Sequence, residues 1–214
     1  VVTRSEMIKK FMNTPLDFAP GEKFSYSKAG YNLLAAIIEI VSGEFYEKYI
    51  DKKMFSKAGM NQTGFTEPKF SDKDMAVGYA GAHRWGKTTD HVLGSSGPSW
   101  FAKGHSGFLS NATELYSWYH AVHGEHIIGP DNVYRLFLPQ VDMHDGHSSV
   151  YCYGWVASHS EYGGGVLISE GNNEIFDTKF NVYMESGIVI ILITNAYNEF
   201  TNEIFKNVEQ HVFN

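Results

Sequence analysis

The sequence predicts an α+β fold: an antiparallel sheet flanked by helices, joined to a mainly helical lobe. Three observations carry this. Residues 1–145 hold most of the 3.6-period apolar patterns, residues 146–214 hold four successive strand-like runs with short connections, and the chain closes on an amphipathic helix. Consecutive strands joined by short turns pair antiparallel, and a half-covered sheet needs helices on a face. We therefore divide the chain into a helix-and-loop lobe, 1–145, and a strand lobe, 146–214, of one domain.

Each element has a local signal. Thr3 and Glu6 form a capping box ahead of Met7, Ile8, Phe11 and Met12, which predicts a helix ending near Phe11 or Met12. Pro15, Pro20 and Gly21 interrupt it. In AGYNLLAAIIEIVSG, Tyr31, Leu34, Ile38 and Val41, joined by Leu33, Ile37 and Ile40, make a wide stripe that predicts a well-buried helix stopped at Gly43. EFYEKYIDKKMF predicts further helix. From about Thr66 to Gly104 the composition turns to Gly, Ser, Asp and Lys, which predicts long loops. NATELYSWYHAVHG predicts a helix with Leu115 and Trp118 on one side. VYCYGWVASHS, GVLISE, FDTKFNVYM and GIVIILIT predict strands, and the last helix is expected to pack through Phe200, Ile204, Phe205 and Val208.

Composition narrows the function. The 214 residues carry 17 Lys and Arg against 24 Asp and Glu, a formal charge of −7 with no basic run. That argues against nucleic acid and anionic membrane as partners and favours a small neutral or cationic ligand. The longest apolar run, GIVIILIT, is far shorter than the roughly 20 residues that span a bilayer, so no membrane-spanning segment is expected. The single cysteine, Cys152, excludes an internal disulfide and a multi-thiolate metal site, and its alternating aromatic surroundings suit a buried structural thiol. No cofactor is implied. The first residue is Val1 and no signal-like segment follows, which reads as a processed product or fragment and leaves the compartment open.

Two patterns bear on chemistry. Ser25 and Lys28 spell Ser-x-x-Lys, a nucleophile motif that works when one helical turn sets the amine beside the hydroxyl. The helix signal begins only after Lys28, at Ala29 to Tyr31, so Ser25 stands as the weaker nucleophile candidate. His120, His123 and His126, with His144 and His147, have metal-like spacing, but Gly124 interrupts the first set and no zincin glutamate is present, so exposed histidines are the default and no metal ligand is assigned.

PGEKFSYSKAGYNLLAAIIEIVSG, GMNQTGF, SGFLSNATELYSWY and YMESGIVIILITN together resemble the serine β-lactamase-like superfamily, in its class C β-lactamase, D-alanyl-D-alanine carboxypeptidase and esterase branch. The resemblance covers residues 15–65, 104–120 and about 150–198. It implies a β-lactamase/penicillin-binding-protein-like fold with the N-terminal strands and the nucleophile helix missing, and acyl-enzyme hydrolysis of an amide or ester of β-lactam or D-amino-acid peptide type. It places the family's catalytic tyrosine on Tyr26 and its asparagine on Lys28. Lys28 is then either a cation acting on Tyr26 or a solvated residue at a helix start.

The third family motif falls on Ser169, Glu170 and Gly171 as the oxyanion and substrate-binding strand, with Asn172 supplying the second oxyanion N–H. Ser169 stands where the family has Lys or His, which removes positive potential for a substrate carboxylate, and Glu170 adds negative charge. The likeness of His105, Ser106 and Gly107 to a His-Ser-Gly motif is read as accidental, because FLSNATEL sets them at a helix entry. The resemblance also implies an exported, periplasmic or extracellular protein. It leaves this chain inactive for want of a Ser-x-x-Lys helix, with an exposed sheet edge open to a homodimer or swapped oligomer. Two rival readings stand beside it: a non-catalytic binding homologue, and a metal-dependent hydrolase using the histidine cluster.

Overall fold

The computed structural model describes residues 2–65, 72–91, 93–94, 97–124, 126–198 and 200–214. The chain folds as two compact units, 1–75 with 88–127, and 76–87 with 128–214. Its helices and strands run in the order α1 Arg4–Met12, α2 Lys28–Ser42, α3 Tyr46–Ile50, β1 Gly78–Ala80, β2 His83–Gly86, α4 Thr88–His91, β3 Leu93–Gly94, β4 Gly97–Pro98, α5 Ala112–His123, α6 Pro130–Phe137, β5 Val141–Asp142, β6 Val150–Tyr151, β7 Val156–His159, β8 Gly165–Asn172, β9 Asp177–Tyr183, β10 Ile188–Thr194 and α7 Phe200–Phe213.

The first unit is built on α1, α2, α3 and α5. Thr3 and Glu6 close the expected capping box of α1. α3 runs directly into a π turn over Asp51–Phe55. Met7, Ala35, Ala36, Tyr46, Ile50, Phe55, Met60, Phe65 and Trp100 form the core.

α2 buries a different face from the one its apolar stripe suggests. Asn32, Ala35, Ala36 and Glu39 face inward, while Leu34, Ile37, Ile40 and Val41 face outward, Val41 at 81% exposure. The reason is polar satisfaction combined with small size. Glu39 accepts from Arg4 at 2.8 Å and from the Tyr46 N–H at 2.9 Å, and the two alanines let the neighbouring chain approach closely. Gly43, at φ 69°, ends the helix in the left-handed conformation glycine adopts without strain.

The second unit holds an open six-stranded antiparallel sheet in the order β10-β9-β8-β7-β6-β5, and a separate β1-β2 hairpin. Three expected strand segments are β8, β9 and β10, while the fourth, VYCYGWVASHS, is two antiparallel strands, β6 and β7, joined through residues 152–155. The strands start earlier than residue 146, because Val141 and Asp142 pair with Tyr151 and Val150. α6, started by Pro130 at its N-terminus, was not anticipated.

On one sheet face Val166, Tyr183 and Ile190 pack with Phe205 of α7. Only Thr201 and Phe205 of that helix are buried; Phe200, Ile204 and Val208, expected to pack, are exposed. The inward row is Thr201 and Phe205 with the half-buried Glu209 and Phe213, one residue round the helix, because the Tyr183 hydroxyl donates to Glu209 and the Phe213 ring stacks on Tyr162. Cys152 is buried, as expected, and burial raises its thiol pKa. Among the described residues no helix is long and apolar enough to cross a membrane.

Glu39→Ala should lower stability by about 2 kcal/mol, since it strands the Arg4 guanidinium and the buried Tyr46 N–H. Chemical denaturation checks this; a change within about 0.5 kcal/mol would contradict it.

Candidate functional site

In the first unit the sequence-predicted residues cluster at the start of α2. Ser27 is its N-cap, with Oγ accepting from the Gly30 N–H at 3.1 Å, so the helix begins at Lys28, one residue before the expected start. Ser25 lies in the irregular segment ahead of the cap. The Ser-x-x-Lys spacing therefore has no helical turn to bring hydroxyl and amine together. Tyr26 precedes the cap and is 59% exposed, and Lys28 is also exposed.

One turn into the helix, Asn32 is buried and hydrogen-bonded through both its Nδ2 and its Oδ1. Its Nδ2 donates to the Phe101 carbonyl at 2.9 Å, and its Oδ1 accepts from the Gly104 N–H at 2.8 Å. Those two bonds fix the amide's orientation. The third contact, His105 Nδ1 to the same Oδ1 at 3.3 Å, must then be donated by the imidazole, which leaves Nε2 as the acceptor of the neutral ring.

Gly104 makes the approach feasible. A Cβ there would lie 2.2 Å from the Tyr31 carbonyl oxygen. The same loop is anchored by Lys103, buried against the Trp100 ring at 4.7 Å and paired with Glu47 at 2.5 Å. Burial first, and the positive charge of Lys28 second, hold His105 below the ordinary histidine range. So the histidine set aside as accidental sits within the electrostatic reach of Lys28. The sequence signal that could have found it is the pairing of a polar Asn32, in the middle of an apolar helix, with a Lys-Gly-His loop.

In the second unit, Ser169, Glu170, Gly171 and Asn172 end β8. They pair with Phe180, Lys179, Thr178 and Asp177 of β9, while β7 stops opposite Ile168. That leaves their other edge beyond the reach of β7. Gly165 accepts from the Met184 N–H, so odd residues of β8 turn their backbone groups toward β9, and Glu170 and Asn172 turn theirs to the uncovered edge.

Side chains alternate as well. Glu170 lies on the α7 face, where Lys179 pairs with it at 3.1 Å and sits 6.0 Å from the Phe205 ring. Ser169 and Gly171 lie on the opposite face with Phe180. The charge expected from Glu170 is thus matched by Lys179 on the other face of the strand. Buried Asp177 has a raised pKa, chiefly from burial, which the positive charge of Lys179 opposes and the charge of Glu170 supports to a smaller extent.

His120, His123 and His126 line an open hollow with Lys57 and Ser117 in the first unit. His144 is on the surface, 3.3 Å from Asp142. Among the described residues no group of three or more His, Cys, Asp or Glu side chains is placed to hold a metal ion.

The Beta-lactamase family model matches residues 2–211, so the chain belongs to that family of serine β-lactamase-like proteins. It is 26% identical over 228 residues to Penicillin-binding protein 4* of Bacillus subtilis, covering 100% of this chain and 49% of the relative. The chain thus spans about half the length of that curated relative. A penicillin binding protein from Bacillus halodurans shares the fold with a TM-score of 0.80 at 20% identity, over 97% of this chain and 61% of the other. A D-amino acid amidase from Ochrobactrum anthropi SV3 does so with 0.72 at 21%, over 99% and 61%.

NMR titration of His105 should give a midpoint below 6.5, and Lys28→Gln should move it up part of the way, since burial is the larger cause. A depressed imidazole pKa favours the fold above 6.5, and that contribution is lost as pH falls through the folded-state value. A midpoint at or above 6.5, or one indifferent to Lys28, would contradict the arrangement.

Proposed function

We propose that this chain carries the tyrosine loop and the substrate strand of a serine acyl-transfer hydrolase, and that by itself it forms no acyl-enzyme. The observation that carries the second half is Ser25 lying outside α2, with Lys28 as the first helical residue and no other Ser-x-x-Lys in the sequence. In this reading Tyr26 is the proton carrier of the family's second motif, and Lys28 is a cation in the asparagine's place, with His105 close enough to feel its charge. The Asn172 N–H, turned to the uncovered edge of β8, is an oxyanion donor.

Substrate class follows from Ser169. A neutral hydroxyl stands where a cation would hold a carboxylate, while Glu170 is occupied by Lys179 on the other face. A D-amino-acid amide or ester, which needs no carboxylate partner, suits this strand better than a penicillin or a free D-alanine terminus. The fold shared with a D-amino acid amidase supports an amide as the scissile group. The partners in this reading are small acyl compounds or peptides, and further copies of the chain.

Two measurements test it. Intact-mass analysis after incubation with a fluorophosphonate or a labelled penicillin should show no adduct; an adduct on Ser25 or any other residue would overturn the inactivity. In an NMR titration, D-alaninamide should perturb the amide signals of Glu170 and Asn172 at concentrations about tenfold lower than acetyl-D-alanine, whose carboxylate finds no cation. Equal or reversed preference would overturn the substrate class.

A further inference from the structure

Beside the end of β8 stands a buried carboxylate that the chemistry described so far does not use. Asp177 opens β9 and is only 5% exposed. Its cross-strand partners are Asn172 on β8 and Thr194 on β10. Paired residues turn their side chains to one face, so Asn172, Asp177 and Thr194 stand abreast on the α7 face, one step along from Glu170, Lys179 and Leu192.

Burying an aspartate is costly unless a cation or several donors meet it. Lys179, the cation acting on Asp177, gives its ion pair to Glu170 at 3.1 Å. Glu170, Asp177 and Lys179 therefore sum to one negative charge. Among the described residues, the hydrogen bond acting on the Asp177 carboxylate comes from the Thr178 backbone N–H and is the smallest of the influences on it.

Two further polar atoms on this face are buried without a hydrogen-bond partner: Thr194 Oγ1, on the residue paired with Asp177, and Asn181 Oδ1, two residues along β9 on a side chain that is itself 7% exposed. Such orphans are rare in folded chains. Oxygen atoms that carry a net negative charge complement a compact cation rich in N–H donors.

Resting on the reading of β8's end as an acyl-binding strand, we propose that Asp177, with Asn172 and Thr194 at its sides, receives the α-ammonium group of the substrate. The substrate class narrows to D-amino-acid amides or esters with a free amine. Reach supports this. Asn172 turns its backbone groups to the uncovered edge, so Asn172 and Asp177 form a non-hydrogen-bonded pair, the closer kind, with Cα atoms about 4.5 Å apart. In an α-amino amide the amine sits on the carbon next to the carbonyl. A ligand whose carbonyl oxygen accepts the Asn172 N–H thus carries its amine beside that pair. A hydroxyl or an acylated amine in the same place brings no charge to match Asp177, and a carboxylate there is repelled.

NMR titration of the full chain with two amides that differ only at the α position tests the proposal. D-alaninamide should perturb the Glu170 and Asn172 amide signals at concentrations about tenfold lower than D-lactamide, which has a hydroxyl in place of the amine. Asp177→Asn keeps the side chain's shape and removes its charge. It should weaken D-alaninamide about tenfold and leave D-lactamide where it was, with thermal unfolding confirming that the variant folds. The comparison of the two amides needs no variant and stands even if Asp177→Asn does not fold. Calcium chloride at the same concentration as D-alaninamide should not reverse its shifts.

Equal affinity for the two amides, or an Asp177→Asn chain that still prefers the amine, overturns the ammonium site and leaves the acyl strand standing. Reversal by calcium makes the row an inorganic cation site and overturns the proposal as well. If neither amide moves the Glu170 and Asn172 signals, the acyl strand and the ammonium site both fall.

Discussion

The buried amide of Asn32 is the constraint on which the arrangement of α2 and the Lys103–His105 loop depends. With Phe101, Gly104 and His105 all bonded to one side chain, α2 can turn only one way. That choice sends Ala35, Ala36 and Glu39 inward along the same face, and it leaves Leu34, Ile37, Ile40 and Val41 outside. An unsatisfied buried amide would cost about 1–3 kcal/mol, comparable with burying one more large aliphatic side chain, and three coordinated bonds tip the balance. The outcome is that Lys28 and His105 are carried on two segments tied together one turn further along the helix.

The second unit depends on a simpler rule, the alternation of an antiparallel ladder. It separates Glu170 from Ser169 by face and separates the backbone groups of Asn172 from those of Gly171 by edge. Because β7 begins at Val156, opposite Ile168, the last four residues of β8 pair with β9 alone among the described residues. Among the described residues the end of β8 thereby keeps backbone hydrogen-bonding groups beyond the reach of β7.

Much of the fold was legible in the sequence because its signals are local. The Thr3–Glu6 capping box, Gly43, the run GIVIILIT and the turns between strands each state their conformation within a few residues. The orientation of helices was not legible, since α2 and α7 are apolar on more than one side and the choice of face is made by distant polar partners, Phe101 and Gly104 for Asn32, and Tyr183 for Glu209. α6 was missed because its eight residues carry a proline start but too few apolar positions to stand out. Tyr26, Lys28 and the end of β8 were readable as motifs; the placement of His105 was not, because it comes from a contact 73 residues away. Glu170 was read with the wrong weight, as a period of two assigns it a face but does not reveal Lys179 across the pair.

The central claim is that β8's uncovered end is an acyl-binding strand, and a crystal structure with a bound D-amino-acid amide tests it most directly. The ligand's carbonyl oxygen is predicted about 2.9 Å from the Asn172 nitrogen, accepting its N–H, with no covalent bond to Ser25. A ligand bound elsewhere, or an Asn172 N–H already committed to the protein, would contradict the account.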